Sequence, residues 1–254
     1  MLQNTGYFVW HELNTTDLNA AIAFYSHVVT GWSFEGSTEG EHAYPHIRNA
    51  SVQVGGATWL PEDAKKMGAP PHWNGYITVE DVDAAAAKVQ ALGGRLYFGP
   101  MDIPKTGRFA VVADPQGAAF SIFTPESAGP LADTKQHGAF NWNELMTSDP
   151  AAALTFYGEM FGWKTFVEMD MGPMGTYAVI GLGDLQFGGI LKRPPQMPAS
   201  AWLHYIMVAD LDAALARATS SGGVKLNGPM PVPGGARIVQ LQDPQGARLA
   251  LVGM

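Results

Sequence analysis

Two short runs carry the side chains best suited to chemistry. Residues 10–13 read W-H-E-L and residues 142–145 read W-N-E-L. In an extended strand successive side chains point to opposite faces. Trp10, Glu12 and Asn14 then share one face, and Val9, His11 and Leu13 share the other. Glu144 shares a face with Trp142 by the same count. A carboxylate beside an indole in an apolar recess is expected to hold its proton more tightly than in water, and to act as a general base or acid. The competing task is structural: the same carboxylate can hold a neighbouring backbone group or an arginine. The presence of Glu12 and Glu144 in both runs favours a shared structural task.

Other reactive side chains are unevenly spread. His11, His27, His42, His46 and His72 lie in the first half, and only His137 and His204 in the second. This makes the first half the better equipped for chemistry. His42 and His46, four residues apart, could supply two metal ligands, but no third is obvious nearby. Arg108 and Arg237 recur ahead of apolar runs and read as structural. There is no P-loop, no dinucleotide fingerprint and no G-x-S-x-G, so nucleotide-dependent and serine-hydrolase chemistry have no support.

The chain of 254 residues is 46% hydrophobic and 15% charged, with a net charge of −8. The apolar share is that of a globular protein. The acidic balance argues against nucleic acid, whose phosphates need clustered Lys and Arg. No run approaches the roughly 18 apolar residues of a membrane span, and the first residues lack the pattern of a secretory signal. With no cysteine there are no disulfides, thiolate metal sites or cysteine nucleophile. The cytoplasm is the expected compartment.

A duplication organises the elements that must position these residues. Trp10–Tyr25 and Trp142–Tyr157 agree at nine of sixteen positions, and Gly99–Ala118 and Gly228–Ala247 at ten of twenty. Between them Tyr44, Gln53 and Gly55-Gly56 correspond to Tyr177, Gln186 and Gly188-Gly189. The joint falls near residues 125–136, a stretch with few large apolar residues, so the domains are expected over 1–126 and 137–254. Within each copy an Asp opens a helical pattern that closes at glycine: Asp17 to Gly31, Asp81 to Gly93-Gly94 and Asp210 to Gly222-Gly223. That is an N-cap followed by a C′ glycine. Asp149-Pro150 adds proline at the first helical position. Short alternating runs precede the helices and β-rich runs follow them, so each copy reads as two βαβββ units, with residues 65–71 (KKMGAPP) as a flexible link between units.

This pattern resembles the vicinal oxygen chelate superfamily of glyoxalase I, extradiol dioxygenases and bleomycin-resistance proteins. The resemblance rests on D-[LP]-x-A-x(3)-FY-x(4,5)-GW at 17–32 and 149–163, the D-[VL]-D-A-A helices, and the DPQG turns at 114–117 and 243–246. It implies an α+β fold of tandem glyoxalase-like domains, each of two βαβββ units forming a cupped sheet. It also implies a ligand cavity in each cup, lined by Trp10, Asn74 and Tyr76 in the first and by Trp142, Tyr205 and Arg248 in the second, with Glu12 and Glu144 facing inward. Arg248 would pair with Glu144 or hold an anionic ligand. The family's metal-ligand positions fall here on Trp10, Asn74 and Ser121, and on Trp142, Leu203 and Ala250, which are poor ligands. The expectation is therefore a small-molecule-binding protein or metal-independent enzyme, with no metal, no cofactor and a small molecule as partner. The alternatives are a metal-dependent lyase, isomerase or dioxygenase using Glu12 with His11, His72 or other ligands, and a protein that sequesters a drug or metabolite without catalysis. Four units in one chain complete both cavities without a second subunit, leaving monomer and homodimer open.

Overall fold

The computed structural model describes residues 4–127, 129, 131 and 133–254. Residues 128, 130 and 132 of the expected joint lie outside the described residues. The first repeat runs β1 (Phe8–Thr15), α1 (Leu18–Val28), β2 (Trp32–Glu35), β3 (His46–Asn49), β4 (Val52–Trp59), α2 (Glu62–Lys66), β5 (His72–Thr78), α3 (Val82–Ala91), β6 (Arg95–Ile103), β7 (Gly107–Ala113) and β8 (Ala119–Pro125). The second runs β9 (Phe140–Thr147), α4 (Pro150–Phe161), β10 (Lys164–Asp170), β11 (Thr176–Leu182), β12 (Leu185–Lys192), β13 (Ala201–Met207), α5 (Leu211–Ser220), β14 (Val224–Pro231), β15 (Arg237–Gln242) and β16 (Arg248–Gly253). Each repeat forms an eight-stranded sheet, ordered β2-β3-β4-β1-β5-β8-β7-β6 and β10-β11-β12-β9-β13-β16-β15-β14. The order is the same in both, as the duplication requires.

The helix starts follow the local sequence. Asp17, Asp81, Asp149 and Asp210 each accept a hydrogen bond from the backbone N–H three residues on, at 2.9–3.0 Å. Past the helix ends Gly31, Gly93 and Gly222 take positive φ, as does Gly162 at the end of α4. Part of the expected flexible link is ordered: Lys65 and Lys66 close α2, where they pair with Glu62 and Asp63 one turn earlier. Arg108 is structural, as read: it pairs with Asp102 and with Asp83 in the first turn of α3. Arg237 does the same for Asp212 of α5.

Packing groups the chain into two compact units, each combining segments of both repeats. One comprises Trp10–Asn74, Ala132–Asn141 and His204–Met254; the other comprises Met1–Val9, Gly75–Leu131 and Trp142–Leu203. We call them the Tyr25 unit and the Tyr157 unit. In the Tyr25 unit, Leu18, Ala21 and Tyr25 of α1 and Leu211, Ala214 and Ala218 of α5 share a core with Leu13, Ile47, Leu249 and Leu251 of the strands. In the Tyr157 unit, Val82, Ala86 and Val89 of α3 and Ala153, Phe156 and Tyr157 of α4 share one with Ile77, Ile122, Leu145 and Ile180.

At the centre of each core lies a chain of hydrogen bonds. Trp73 Nε1 donates to Tyr25 Oη at 2.8 Å, and Tyr25 donates to Asp243 Oδ2 at 2.9 Å. Trp202 donates to Tyr157 at 3.1 Å, and Tyr157 to Asp114 at 3.1 Å. The other oxygen of each aspartate accepts two backbone N–H groups of its own DPQG turn. Burial pushes both carboxyls above the usual aspartate range, against the pull of these donors. The tryptophans of the two GW pairs add a further tie: Trp32 donates to Gly138 O and Trp163 to Gly6 O, each at 2.7 Å.

Tyr25→Phe would leave the Trp73 donor and one Asp243 oxygen buried without a partner, at about 1–3 kcal/mol for each. We expect urea denaturation to show a loss of about 2–4 kcal/mol for Tyr25→Phe, and a similar loss for Tyr157→Phe. A change under ~0.5 kcal/mol in either would show that the chain is not what holds the unit.

Candidate ligand site

The W-H-E-L run forms the middle of β1, and its faces divide as the alternation requires. His11 and Leu13 are buried, whereas Trp10 and Glu12 are half-buried. Strand β1 pairs in parallel with β4, which sets Glu12 opposite Gly56. Tyr44, just ahead of β3, lays its ring over Gly56: a Cβ there would lie 2.5 Å from Tyr44 Cε1. A Cβ on Gly55 would run into the His11 carbonyl. The Gly55-Gly56 pair therefore admits a tyrosine on one face and close strand pairing on the other.

With its ring in that position, Tyr44 Oη accepts from Trp10 Nε1 at 2.9 Å and is hydrogen-bonded to Glu12. Burial, then the charge of Glu12, push the phenol far above the usual tyrosine value, so it remains a proton donor to the carboxylate. Asn14 Nδ2 donates to Glu12 Oε1 at 3.2 Å. The second repeat builds the same group: Trp142 donates to Tyr177 at 2.8 Å, Tyr177 is hydrogen-bonded to Glu144, and its ring covers Gly189, which pairs with Glu144. Tyr44 and Tyr177 were not among the residues assigned to the site from sequence. Their signal was present in the recurrence of tyrosine with a Gly-Gly pair.

The two groups differ in what surrounds them. His46 pairs with Gly56 on β3, and its ring lies 5.9 Å from that of Trp10 and 5.4 Å from that of Tyr44. In the second repeat Val179 pairs with Gly189 instead. Asn14 corresponds to Met146, and Glu144 is only 7% exposed. The first group is thus the more open and the more polar.

The remaining expected site residues are regrouped: Asn74, Tyr205 and Arg248 fall with Trp10 and Glu12 in the Tyr25 unit, and Tyr76 falls with Trp142 and Glu144 in the Tyr157 unit, because each unit draws on both repeats. Asn74 is buried on β5 in the Tyr25 unit. Tyr76 is buried in the Tyr157 unit, opposite Ser121 and beside the rings of Phe109 and Phe123. Tyr205 faces Ala250 and accepts from Gln240 at 3.2 Å. Arg248 is exposed at the head of β16, opposite Gln242. Among the described residues it makes no salt bridge, so the expected pairing with Glu144 is not formed.

The donor set does not fit a divalent ion. Trp10, Trp142, Leu203 and Ala250 offer no lone pair of the required kind, Asn74 and Ser121 offer only neutral oxygens, and Glu12 already serves two hydrogen-bond donors. His11 and His204 lie near each other but turn away from the Glu12 face. Among the described residues no group of three or more His, Asp or Glu is placed to hold a metal. No helix among them is long and apolar enough to cross a membrane.

With fold and site in view, the sequence profile of the Glyoxalase/Bleomycin resistance protein/Dioxygenase superfamily matches residues 7–122 and again 139–251. The chain belongs to this superfamily. It is similar to the protein named "Putative glyoxylase CFP32" of Mycobacterium tuberculosis, 34% identical over 240 residues that cover 94% of this chain and 91% of that one. It is also similar to "Anthracycline biosynthesis protein DnrV" of Streptomyces peucetius, 30% identical over 262 residues, covering 96% and 91%. Among solved structures, the Mn(II)-bound glyoxalase from Novosphingobium aromaticivorans shares the fold at a TM-score of 0.63 and 16% identity, over 97% of this chain and 80% of that one. A 2,2',3-trihydroxybiphenyl 1,2-dioxygenase from Sphingomonas wittichii shares it at 0.67 and 12%, over 100% and 91%.

Gly56→Ala would set a methyl group against the Tyr44 ring. Overpacking of this kind costs about 1–3 kcal/mol, and the ring must leave Glu12 and Trp10. We expect a loss of that size in urea denaturation, with a shift in tryptophan emission. Unchanged stability and emission would mean that the ring is not seated there.

Proposed function

We propose that this protein binds a small organic molecule against the Trp10–Tyr44–Glu12 face of its first repeat, and that Glu12 exchanges a proton with that molecule without a bound metal. One observation carries the reading: a carboxylate held half-buried between a phenol and an amide, with an indole and an imidazole beside it. Such a group is fixed in place before a ligand arrives, which is what proton transfer to a positioned atom needs. Trp10 offers an apolar surface for a flat or hydrophobic ligand. The phenol of Tyr44 orients the carboxylate. Relatives named for glyoxylase activity and for anthracycline biosynthesis accord with chemistry on a small organic substrate.

The second group is the internal comparison. It has the same Trp–Tyr–Glu order but is more deeply buried and lacks the histidine, so we assign it a structural task. Glu12→Gln retains the acceptor for Tyr44 and removes the base. We expect turnover of whatever substrate a metabolite screen identifies to fall about 100–10,000-fold in Glu12→Gln, with little change in melting temperature. Glu144→Gln and treatment with a chelator should leave turnover intact. If ligand binding is detected and neither variant nor chelator alters it, and no product forms, the protein sequesters its ligand. Equal destabilisation by both Gln variants, with unchanged ligand handling, would make both carboxylates structural. Loss of turnover on chelation would replace this reading with metal-dependent chemistry.

A further inference from the structure

The face of β1 opposite Glu12 carries a cluster the proposed function does not use. His11 is 5% exposed and His204, on β13, is 1% exposed. Their rings lie 4.7 Å apart at 74°. His11 also stacks on Phe140, 3.8 Å away and nearly parallel. A third histidine, His72, stands at the head of β5 with Nδ1 2.8 Å from the Pro70 carbonyl oxygen. All three belong to the Tyr25 unit.

We propose that His204, packed against His11, forms an acid-sensitive latch: neutral, the pair packs the strands of the Tyr25 unit together, and protonation loosens that unit and with it the Trp10–Tyr44–Glu12 face. The surroundings of His204 explain the sensitivity. From β1 it meets His11, and from β5 the charge of His72 reaches it. The carboxylate on β1, Glu12, points to the other face, where it is held by Tyr44 and Asn14. On β16, which pairs with β13, Leu249 and Leu251 belong to the apolar core. The 137–140 segment brings the Phe140 ring against His11, and its titratable residue is His137. Burial first, then His11 and His72, hold His204 well below the usual histidine value, and burial lowers His72.

The sign follows from linkage. The unfolded chain takes up a proton on His204 near pH ~6.5, whereas the folded unit does so only well below that. Below that pH the unfolded state binds more protons, so stability falls as pH falls. Each excess proton weakens the unit about tenfold per pH unit.

The duplication sets a control inside the molecule. The repeat-equivalent positions of His11, His72 and His204 are Asn143, Ala201 and Gly75, none of which titrates. Those three lie in the Tyr157 unit, which has its own apolar core. Acid should therefore act on one unit and spare the other. His11 stands between Trp10 and Glu12 on one strand, so loosening that strand disturbs the face that carries both.

The test is amide hydrogen exchange on the intact protein from pH 7.5 to 5.0, corrected for intrinsic rates. We expect protection at Leu13, Ile47 and Leu251 to fall about tenfold per pH unit below ~6.5, while Ile77, Ile122 and Ile180 keep theirs. Histidine ring signals should show His204 neutral well below pH 6.5. His204→Gln should flatten the decline. If that variant fails to fold, His72→Asn should reduce it, because it removes one like charge from the cluster. Parallel loss of protection in both units, a His204 that titrates at its ordinary value, or a decline unchanged in the folded variants would overturn the proposal.

Discussion

The structure depends on a buried hydrogen bond made twice: a helix tyrosine donating to the aspartate of a DPQG turn from the other repeat. Tyr25 belongs to the first repeat and Asp243 to the second, 218 residues away. Tyr157 and Asp114 reverse the arrangement. A carboxylate buried this deeply is costly unless its lone pairs are used. Here two backbone N–H groups and a phenol use them, and a tryptophan N–H satisfies the phenol in turn. Each DPQG turn is thereby bound to a helix of the other copy. Reciprocal links of this kind explain why each compact unit draws on both repeats.

The same economy of space governs the site. Two adjacent glycines on β4 let a tyrosine ring lie against the strand and reach a carboxylate on the neighbouring strand. The second copy uses Gly188-Gly189 in the same way. What separates the copies is the surroundings. His46 and Asn14 stand where the second copy has Val179 and Met146, and these exchanges leave the first of two similar hydrogen-bonded groups the more polar. The superfamily's fold is kept in both copies while the side chains around the two groups differ, in accord with the rule that function lies in sites rather than folds.

Much of this was legible from the residues in order. The duplication, the βαβββ succession, the four N-capping aspartates and the faces of β1 depend on interactions within a few residues, or on a period of two along a strand. They are therefore present in any short window of sequence. Glu12 could be assigned to the same face as Trp10 and Asn14 on that basis alone.

Partnership across distance could not be read this way. That Glu12 meets Tyr44 depends on the parallel register that sets Glu12 against Gly56, and a shift of one residue would turn the carboxylate to the other face. That His11 meets His204 depends on strands from opposite repeats sharing one unit. Arg248 shows the same gap, since its strand position was foreseen but its exposure at the head of β16 was not. The sequence by itself determined the repeats, the elements and the face each side chain takes, because these are local. Only the tertiary structure decided which faces meet, because contacts between residues far apart are set by register and by the combined burial of many side chains.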